Sequence, residues 1–234
     1  MKLMTYNVNK AKGWNFIQEN LVDLESAIIK SDAEIVLLQE VVGLNLNREI
    51  LEVQFEKLAD SIWSEYRYAK NSVYKKGHHG NAILSKYPIK DFYRKDISTN
   101  KLERRGVLYA KLNVFGNRII HVYNLHLDLT KRGRIKQMLK IKEILKAHVE
   151  SDQIIVAGDF NDWSVAINLS FENWGFKEAG KVTSGHCFKT FPSLAPFLGL
   201  DRVYFKNLNL IHSLVLSENK LSDHLPIICE FDFK

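Results

Sequence analysis

The sequence predicts an α/β fold: mixed β-sheets with helices packed outside them. Ile35-Val36-Leu37-Leu38 and Ile154-Ile155-Val156-Ala157 are fully apolar runs, the composition of strands buried on both faces. An amphipathic stretch of helical period precedes each of them. Val107 to Val114 and Arg118 to Leu127 flank the turn Phe115-Gly116-Asn117 and form a hairpin. Crossover helices join parallel strands and hairpins join antiparallel ones, so the sheets are mixed.

In chain order, Lys2 to Asn7 reads as the first strand. Ile17, Leu21, Leu24 and Ile28 recur at helical spacing after Phe16, and Ile35 to Leu38 is the next strand, delivering Gln39 and Glu40 to its end. Ile50, Leu51, Phe55, Leu58 and Ile62 predict a second helix face. Ala82 to Ser85 is a strand before a Tyr87-Pro88 turn. After the hairpin, residues 134–148 are helical, with Ile135, Met138, Leu139 and Leu145 placed on one face. The Ile154 run ends at Gly158-Asp159. Residues 163–200 are rich in turn formers, and Val203 to Phe205, Ser213 to Leu216 and Ile227 to Phe231 complete the strands.

A chain of 234 residues is long enough for one α/β domain with a large core, and no repeat or low-complexity linker divides it, so a single domain over 1–234 is expected. Cys187 and Cys229 lack metal-ligand spacing and do not suggest a disulfide framework, which fits a reducing compartment. Met1 to Tyr6 reads as a strand rather than a signal peptide, and no apolar stretch is long enough to span a bilayer, so a cytoplasmic protein is expected. The net charge of +6 favours polyanionic partners: nucleic acid, an anionic lipid surface or phosphorylated metabolites. The same charge also serves solubility alone.

The chemistry-bearing residues gather at strand ends. Gly158-Asp159-Phe160-Asn161-Asp162 and Ser222-Asp223-His224 place carboxylates, an amide and an imidazole there, with Asn7 and Glu40 at two other strand ends. These are oxygen ligands and water-positioning groups. Magnesium prefers a few carboxylates and keeps waters that substrate phosphate can replace. Zinc favours His and Cys, and no HExxH or CxxC spacing occurs. Taken singly, each motif also reads as a turn or a helix cap.

Together, Thr5-Tyr6-Asn7, Leu38-Gln39-Glu40, Gly80-Asn81-Ala82-Ile83-Leu84-Ser85, Asn124-Leu125-His126-Leu127, Gly158-Asp159-Phe160-Asn161, Leu200-Asp201-Arg202-Val203-Tyr204 and Ser222-Asp223-His224-Leu225-Pro226 resemble the endonuclease/exonuclease/phosphatase superfamily, the DNase I-like fold. The resemblance implies a four-layered α/β/β/α sandwich of two mixed sheets, with the active site at one end. It implies a Mg2+-dependent phosphoester hydrolase, Mn2+ being an alternative ion. Glu40 resembles the main metal ligand, helped by Asn7 and Asp223. Asp159 resembles the residue that activates the attacking water, and Asn161 the group that orients water and phosphate. His224 resembles the histidine on a phosphate oxygen, Asp201 the carboxylate that orients it, and His126 a proton donor to the leaving oxygen. Around them, Asn81 resembles a family pattern near the phosphate and also reads as a turn amide. Arg105 at a strand start is placed for phosphate or for solvent. Arg134 and Gln137 share a helix face, and related bacterial proteins carry a similar Arg-x-x-Gln; a wet helix face is the competing reading. His78, His79, His121, His148, His186 and His212 carry no pattern.

Tyr123-Asn124-Leu125-His126 looks closer to DNase and sphingomyelinase branches than to the Tyr-x-Pro-Asn segment of abasic-site enzymes. Thr190-Phe191-Pro192-Ser193 and Pro196 resemble a compact bacterial branch. Phe191, Phe197 and Leu198 form an apolar loop, either packed or facing lipid. Lys131-Arg132-Gly133-Arg134 and Lys136 suit an anionic membrane or a nucleic-acid backbone. The expected activity is hydrolysis of a small or lipid-linked phosphoester, with a DNA or RNA nuclease as the alternative and a non-catalytic binding protein of the same fold as a third reading.

Overall fold

A computed structural model describes residues 1–11, 21–45, 63, 65–75, 77–100, 104–164 and 166–233. Two six-stranded sheets face each other. The first runs, in spatial order, β11 (Leu208–Val215), β12 (Ile227–Phe233), β1 (Lys2–Asn7), β2 (Ile35–Asn45), β4 (Gly77–Ser85) and β3 (Glu65–Tyr74). The second runs β5 (Ile89–Asp96), β6 (Gly106–Val114), β7 (Arg118–His126), β8 (Ile154–Asp159), β10 (Asp201–Lys206) and β9 (Lys177–Glu178). Helix α1 (Leu21–Ser31) covers the outer face of the first sheet. Helices α2 (Lys131–Leu145) and α3 (Ala166–Asn173) cover the second, giving an α/β/β/α sandwich.

Period-2 alternation explains the apolar runs. Ile35 and Leu37 point between the sheets while Val36 and Leu38 point at α1. Ile155 and Ala157 face the inter-sheet core while Ile154 and Val156 face α2 and α3. Each Ile, Leu or Val side chain so placed contributes about 1.5–3 kcal/mol of burial free energy.

Pairing then decides where the chemistry goes. β1 and β2 are parallel, as are β7 and β8, so Asn7 at the end of β1 lies beside Gln39, and His126 beside Asp159; Glu40, expected at a strand end, instead sits within β2, which bulges there and continues to Asn45. Strands β10 and β12 run antiparallel to β8 and β1. Asp201, the first residue of β10, therefore faces Asp159, and the loop that enters β12 reaches the same edge.

Two expectations change. On α2 the buried residues include Arg134, Gln137, Met138, Ile141 and Leu145, whereas Ile135 and Leu139 are exposed. Polar residues can point inward here because they find buried partners, described below. The turn-rich 163–200 region also contains two helices, α3 and α4 (Ala179–Ser184); the Glu178 carboxylate caps α4 by accepting from the Gly180 and Lys181 amides. The helix expected around Ile50 to Ile62 and the start of the first helix at Ile17 lie outside the described residues. Both cysteines are free thiols. Among the described residues no helix is long and apolar enough to cross a membrane.

Gly158 has a positive φ of 137°, and a Cβ there would sit 2.0 Å from the Leu125 carbonyl oxygen of the neighbouring strand. Gly158→Ala is expected to lose about 3 kcal/mol of stability from strain and overpacking, read as a lower urea midpoint.

Candidate active site

The site begins with a backbone irregularity. Between Leu38 and Val41 the pairing of β2 with β4 slips, and Glu40 adopts φ 58°, a left-handed conformation that costs a non-glycine residue free energy. Asn161, just past β8, takes φ 48°. Strained residues of this kind cluster at functional sites.

Below them a buried polar network ties the sheets together. Gln39 Nε2 donates to Asn124 Oδ1 (2.8 Å), and Asn124 Nδ2 donates to the carbonyls of Leu38 (2.9 Å) and Ala82 (2.8 Å). Asn81 is fully buried in the same layer and donates to the carbonyls of Asn124 (3.3 Å) and Gly106 (3.4 Å). Asn81 thus supports the floor of the site.

Asp159 is the centre, only 1 % exposed. Its Oδ1 accepts from the Asn161 amide (2.8 Å) and its Oδ2 from Asn7 Nδ2 (2.9 Å), joining β8 to β1 across the sandwich. His126 Nε2 stands 3.5 Å and His224 Nε2 3.8 Å from the same Oδ2. Burial pushes the Asp159 carboxyl up, His224 pulls it back and Asp201 raises it, leaving it at about 6. The Asn161 side chain donates to the Leu127 carbonyl (2.9 Å), which fixes its amide.

The two histidines are set in opposite states. Arg105 Nη1 lies 3.0 Å from His126 Nδ1. A guanidinium only donates, so Nδ1 accepts and the neutral ring carries its proton on Nε2. Burial, reinforced by the Arg105 and His224 charges, holds His126 well below its ordinary value. His224 Nδ1 instead bonds Asp201 Oδ2 at 2.7 Å. Burial alone would lower its affinity for a proton, but Asp201 and Asp159 outweigh burial and raise it to about 10.

Glu40 lies 4.0 Å from His126 Nε2 through Oε1, while its Oε2 pairs with the Lys10 ammonium. Burial raises the Glu40 carboxyl, but Lys10, joined by the charges of His79 and Arg105, brings it below its ordinary value. The oxygens a divalent cation would use already face positive charge or N–H groups: Glu40 Oε2 faces Lys10 and Asn7 Oδ1 accepts from the Asn9 amide at 3.1 Å, while Asp159, Asp201 and His224 offer ligand atoms within 4.8 Å of one another. Asp223 is half-buried, accepts from Ser222 Oγ at 3.2 Å, and its charge acts on His224.

Two other predicted residues are occupied elsewhere. Arg134 pairs with Asp162 (3.4 Å), donates to the carbonyls of Asp128 (3.2 Å) and Leu129 (2.7 Å), and lies over the exposed Trp163 ring. The Asp128 amide donates to Gln137 Oε1 at 2.8 Å. Both residues anchor the loop after His126. Arg134 also lines a groove of about 440 Å³ with Ile135, Met138, Leu139 and Asp162.

Several contributors carry no sequence pattern. Lys10 is one. His79 is another, held down at about 4 by burial and then by the charge of Lys10, with Glu40 opposing. Thr190 Oγ1 donates to Asp201 Oδ2 (2.6 Å), and the Ser193 amide donates to the Asp223 carbonyl (2.8 Å), so the 190–193 segment clamps the His224 loop. Only the Thr-Phe-Pro-Ser segment in the sequence hinted at that clamp.

The Endonuclease/Exonuclease/phosphatase family profile matches residues 4–224. The chain is 35% identical to "Uncharacterized protein YbhP" of Escherichia coli (strain K12), over 98% of this chain and 95% of that protein. Its fold resembles an endonuclease/exonuclease/phosphatase family protein from Leptotrichia buccalis C-1013-b, with TM-score 0.77, 22% identity and 100% of both chains covered. It also resembles D. rerio TDP2 complexed with single strand DNA product, with TM-score 0.70, 18% identity, 99% of this chain and 98% of that one covered.

Proposed function

The chain belongs to the endonuclease/exonuclease/phosphatase family, whose members hydrolyse phosphoesters with divalent metals, and from that premise we propose that it is a Mg2+-dependent phosphoester hydrolase acting by in-line attack of an activated water. One catalytic domain would span the chain, in the reducing, cytoplasmic setting expected from the sequence. The observation that carries the reading is the convergence of His126 and His224, set in opposite protonation states, on the one buried carboxylate oxygen of Asp159.

Each residue has a task that its surroundings support. Asp159, whose carboxyl burial raises above its ordinary value, takes the proton of the attacking water, which Asn161 helps to align. His224 keeps its proton at neutral pH and donates from Nε2 to a phosphate oxygen as charge builds there. Arg105 fixes the His126 tautomer and so aims Nε2–H toward the leaving oxygen. Glu40 and Asn7, with Asp223 as the resemblance implies, would hold Mg2+ or Mn2+, which would supply Lewis-acid stabilisation of the phosphoryl charge.

A small or lipid-linked substrate is favoured by apolar side chains exposed on loops adjacent in sequence to the site residues. Leu129, Trp163, Leu194 and Phe197 are exposed on the loops that carry the site, and Trp163 and Phe197 share a groove of about 430 Å³. Nuclease action is the second reading, favoured by the net charge of +6 and the exposed Lys131 and Arg132.

The test is a panel of bis(p-nitrophenyl) phosphate, phospholipids, inositol phosphates, DNA and RNA after chelation, with Mg2+ or Mn2+ added back. Metal-restored hydrolysis supports the proposal; no metal-stimulated turnover of any of these substrates overturns it. Glu40→Gln is expected to weaken the apparent Mg2+ affinity about 10–100-fold in the same assay. Lys10→Met, which removes the competing cation, is expected to strengthen it.

A further inference from the structure

A second cluster of ligand-type side chains lies far from the phosphoester centre. His121 stands toward the opposite end of β7 from His126, about 16 Å along the strand. His148 and Asp152 come from the loop between α2 and β8 and close over it. His148 Nδ1 lies 3.0 Å and His121 Nε2 3.9 Å from the same oxygen, Asp152 Oδ2. The three ligand atoms all fall within 4.8 Å of one another. Ligands about 2.0–2.1 Å from a tetrahedral zinc are about 3.4 Å apart, so the array brackets that spacing.

The outer nitrogens are held as well. His121 Nδ1 meets the Tyr109 hydroxyl at 2.8 Å, and His148 Nε2 meets the Tyr123 hydroxyl. Metal-binding histidines are oriented in this way, by a partner on the nitrogen that does not bind. Tyr109 is itself fixed by stacking on Tyr93, with centroids 4.4 Å apart. The loop is braced by the Val149 amide donating to Asp152 Oδ2 (3.1 Å), by Asn207 Nδ2 donating to the Asp152 carbonyl (2.8 Å) and by the His121 amide donating to the Gln153 carbonyl (2.9 Å). The side chains of His121, His148 and Asp152 are 12%, 8% and 25% exposed, so the cluster reaches solvent.

We propose that His121, His148 and Asp152 form a zinc site with one open position, separate from the phosphoester centre. Two imidazoles and one carboxylate suit Zn2+ better than the oxygen-seeking Mg2+ of the other site. A bound ion would pin the α2–β8 loop to β7.

The experiment is a Co2+ titration of the full chain in excess Mg2+, read by visible absorption and followed by Zn2+ displacement. The wild type should show an intense band of four-coordinate Co2+ that Zn2+ abolishes. His121→Ala, His148→Ala and Asp152→Asn should each lose the band and weaken binding more than tenfold, with Mg2+-dependent hydrolysis unchanged. Tyr109→Phe, which keeps all three ligands and guards against misfolding in the others, should weaken binding up to about tenfold. No intense band in the wild type, or the same band and affinity in folded His148→Ala, overturns the proposal and leaves a hydrogen-bonded cluster only.

Discussion

Asp159→Asn is expected to lower kcat/KM by about 10³–10⁴-fold, or about 4–5.5 kcal/mol of transition-state stabilisation. The size follows from the absence of a substitute: Asp159 is the carboxylate on which both histidines and Asn7 converge. An amide has the same shape but cannot take a proton. It also cannot satisfy both donors that Asp159 now accepts. If its NH2 faces Asn7 Nδ2 or the Asn161 amide, one hydrogen bond is replaced by a donor–donor contact. The check is steady-state hydrolysis of the best substrate at saturating Mg2+, beside circular dichroism and a metal titration. Folding should be retained and Glu40 should still bind metal. A variant within tenfold of the wild type would show that Asp159 is not the group that activates water.

Asp201→Asn is expected to act through His224, with a signature in pH. Burial works against the imidazolium, and the charges of Asp201 and Asp159 hold it at about 10. A raised value means that the proton stays on through neutral pH and leaves only as pH climbs toward 10. Removing the Asp201 charge lets it leave earlier, so the alkaline limb of the rate profile should move down toward the ordinary histidine value of about 6.5. At pH 8 kcat should fall by about 10²–10³-fold, and at pH 6, where the ring can still be charged, by much less. Thr190 Oγ1 would keep a partner in the amide oxygen, so the loop should hold. An unmoved alkaline limb would mean that the charge on His224 is not what the reaction uses.

The strand ends were legible because each combines two local signals. An apolar run buried on both faces announces a central strand, and an acidic, amide or imidazole residue just beyond it is costly to place there without a task. That logic singled out Asn7, Glu40, Asp159, Asn161, Asp223 and His224, and the family motifs added His126 and Asp201. It could not sort Arg134 and Gln137. A helix face at i, i+3 looks the same whether it meets a phosphate or, as here, Asp162 and the loop after His126. Likewise the expected stripe with Ile135 and Leu139 counted only apolar residues, while the fold buries polar ones that find partners.

Lys10, His79 and Thr190 were missed for a different reason. Each acts through a neighbour distant in sequence, and no local periodicity records such a meeting. His121, His148 and Asp152 also carried no pattern. They become a cluster only because β7 and β8 pair in register and the preceding loop folds back over them.

The sequence by itself determined the alternating burial of the strands, the mixed pairing and the residue types at the strand ends, because these depend on side-chain period and on the cost of burying polar groups. Tertiary structure alone decided which ends meet, which tautomer His126 holds and why His224 stays charged. Those properties are set by hydrogen bonds and fields between residues on different sheets, and they arise only once the two sheets are packed face to face.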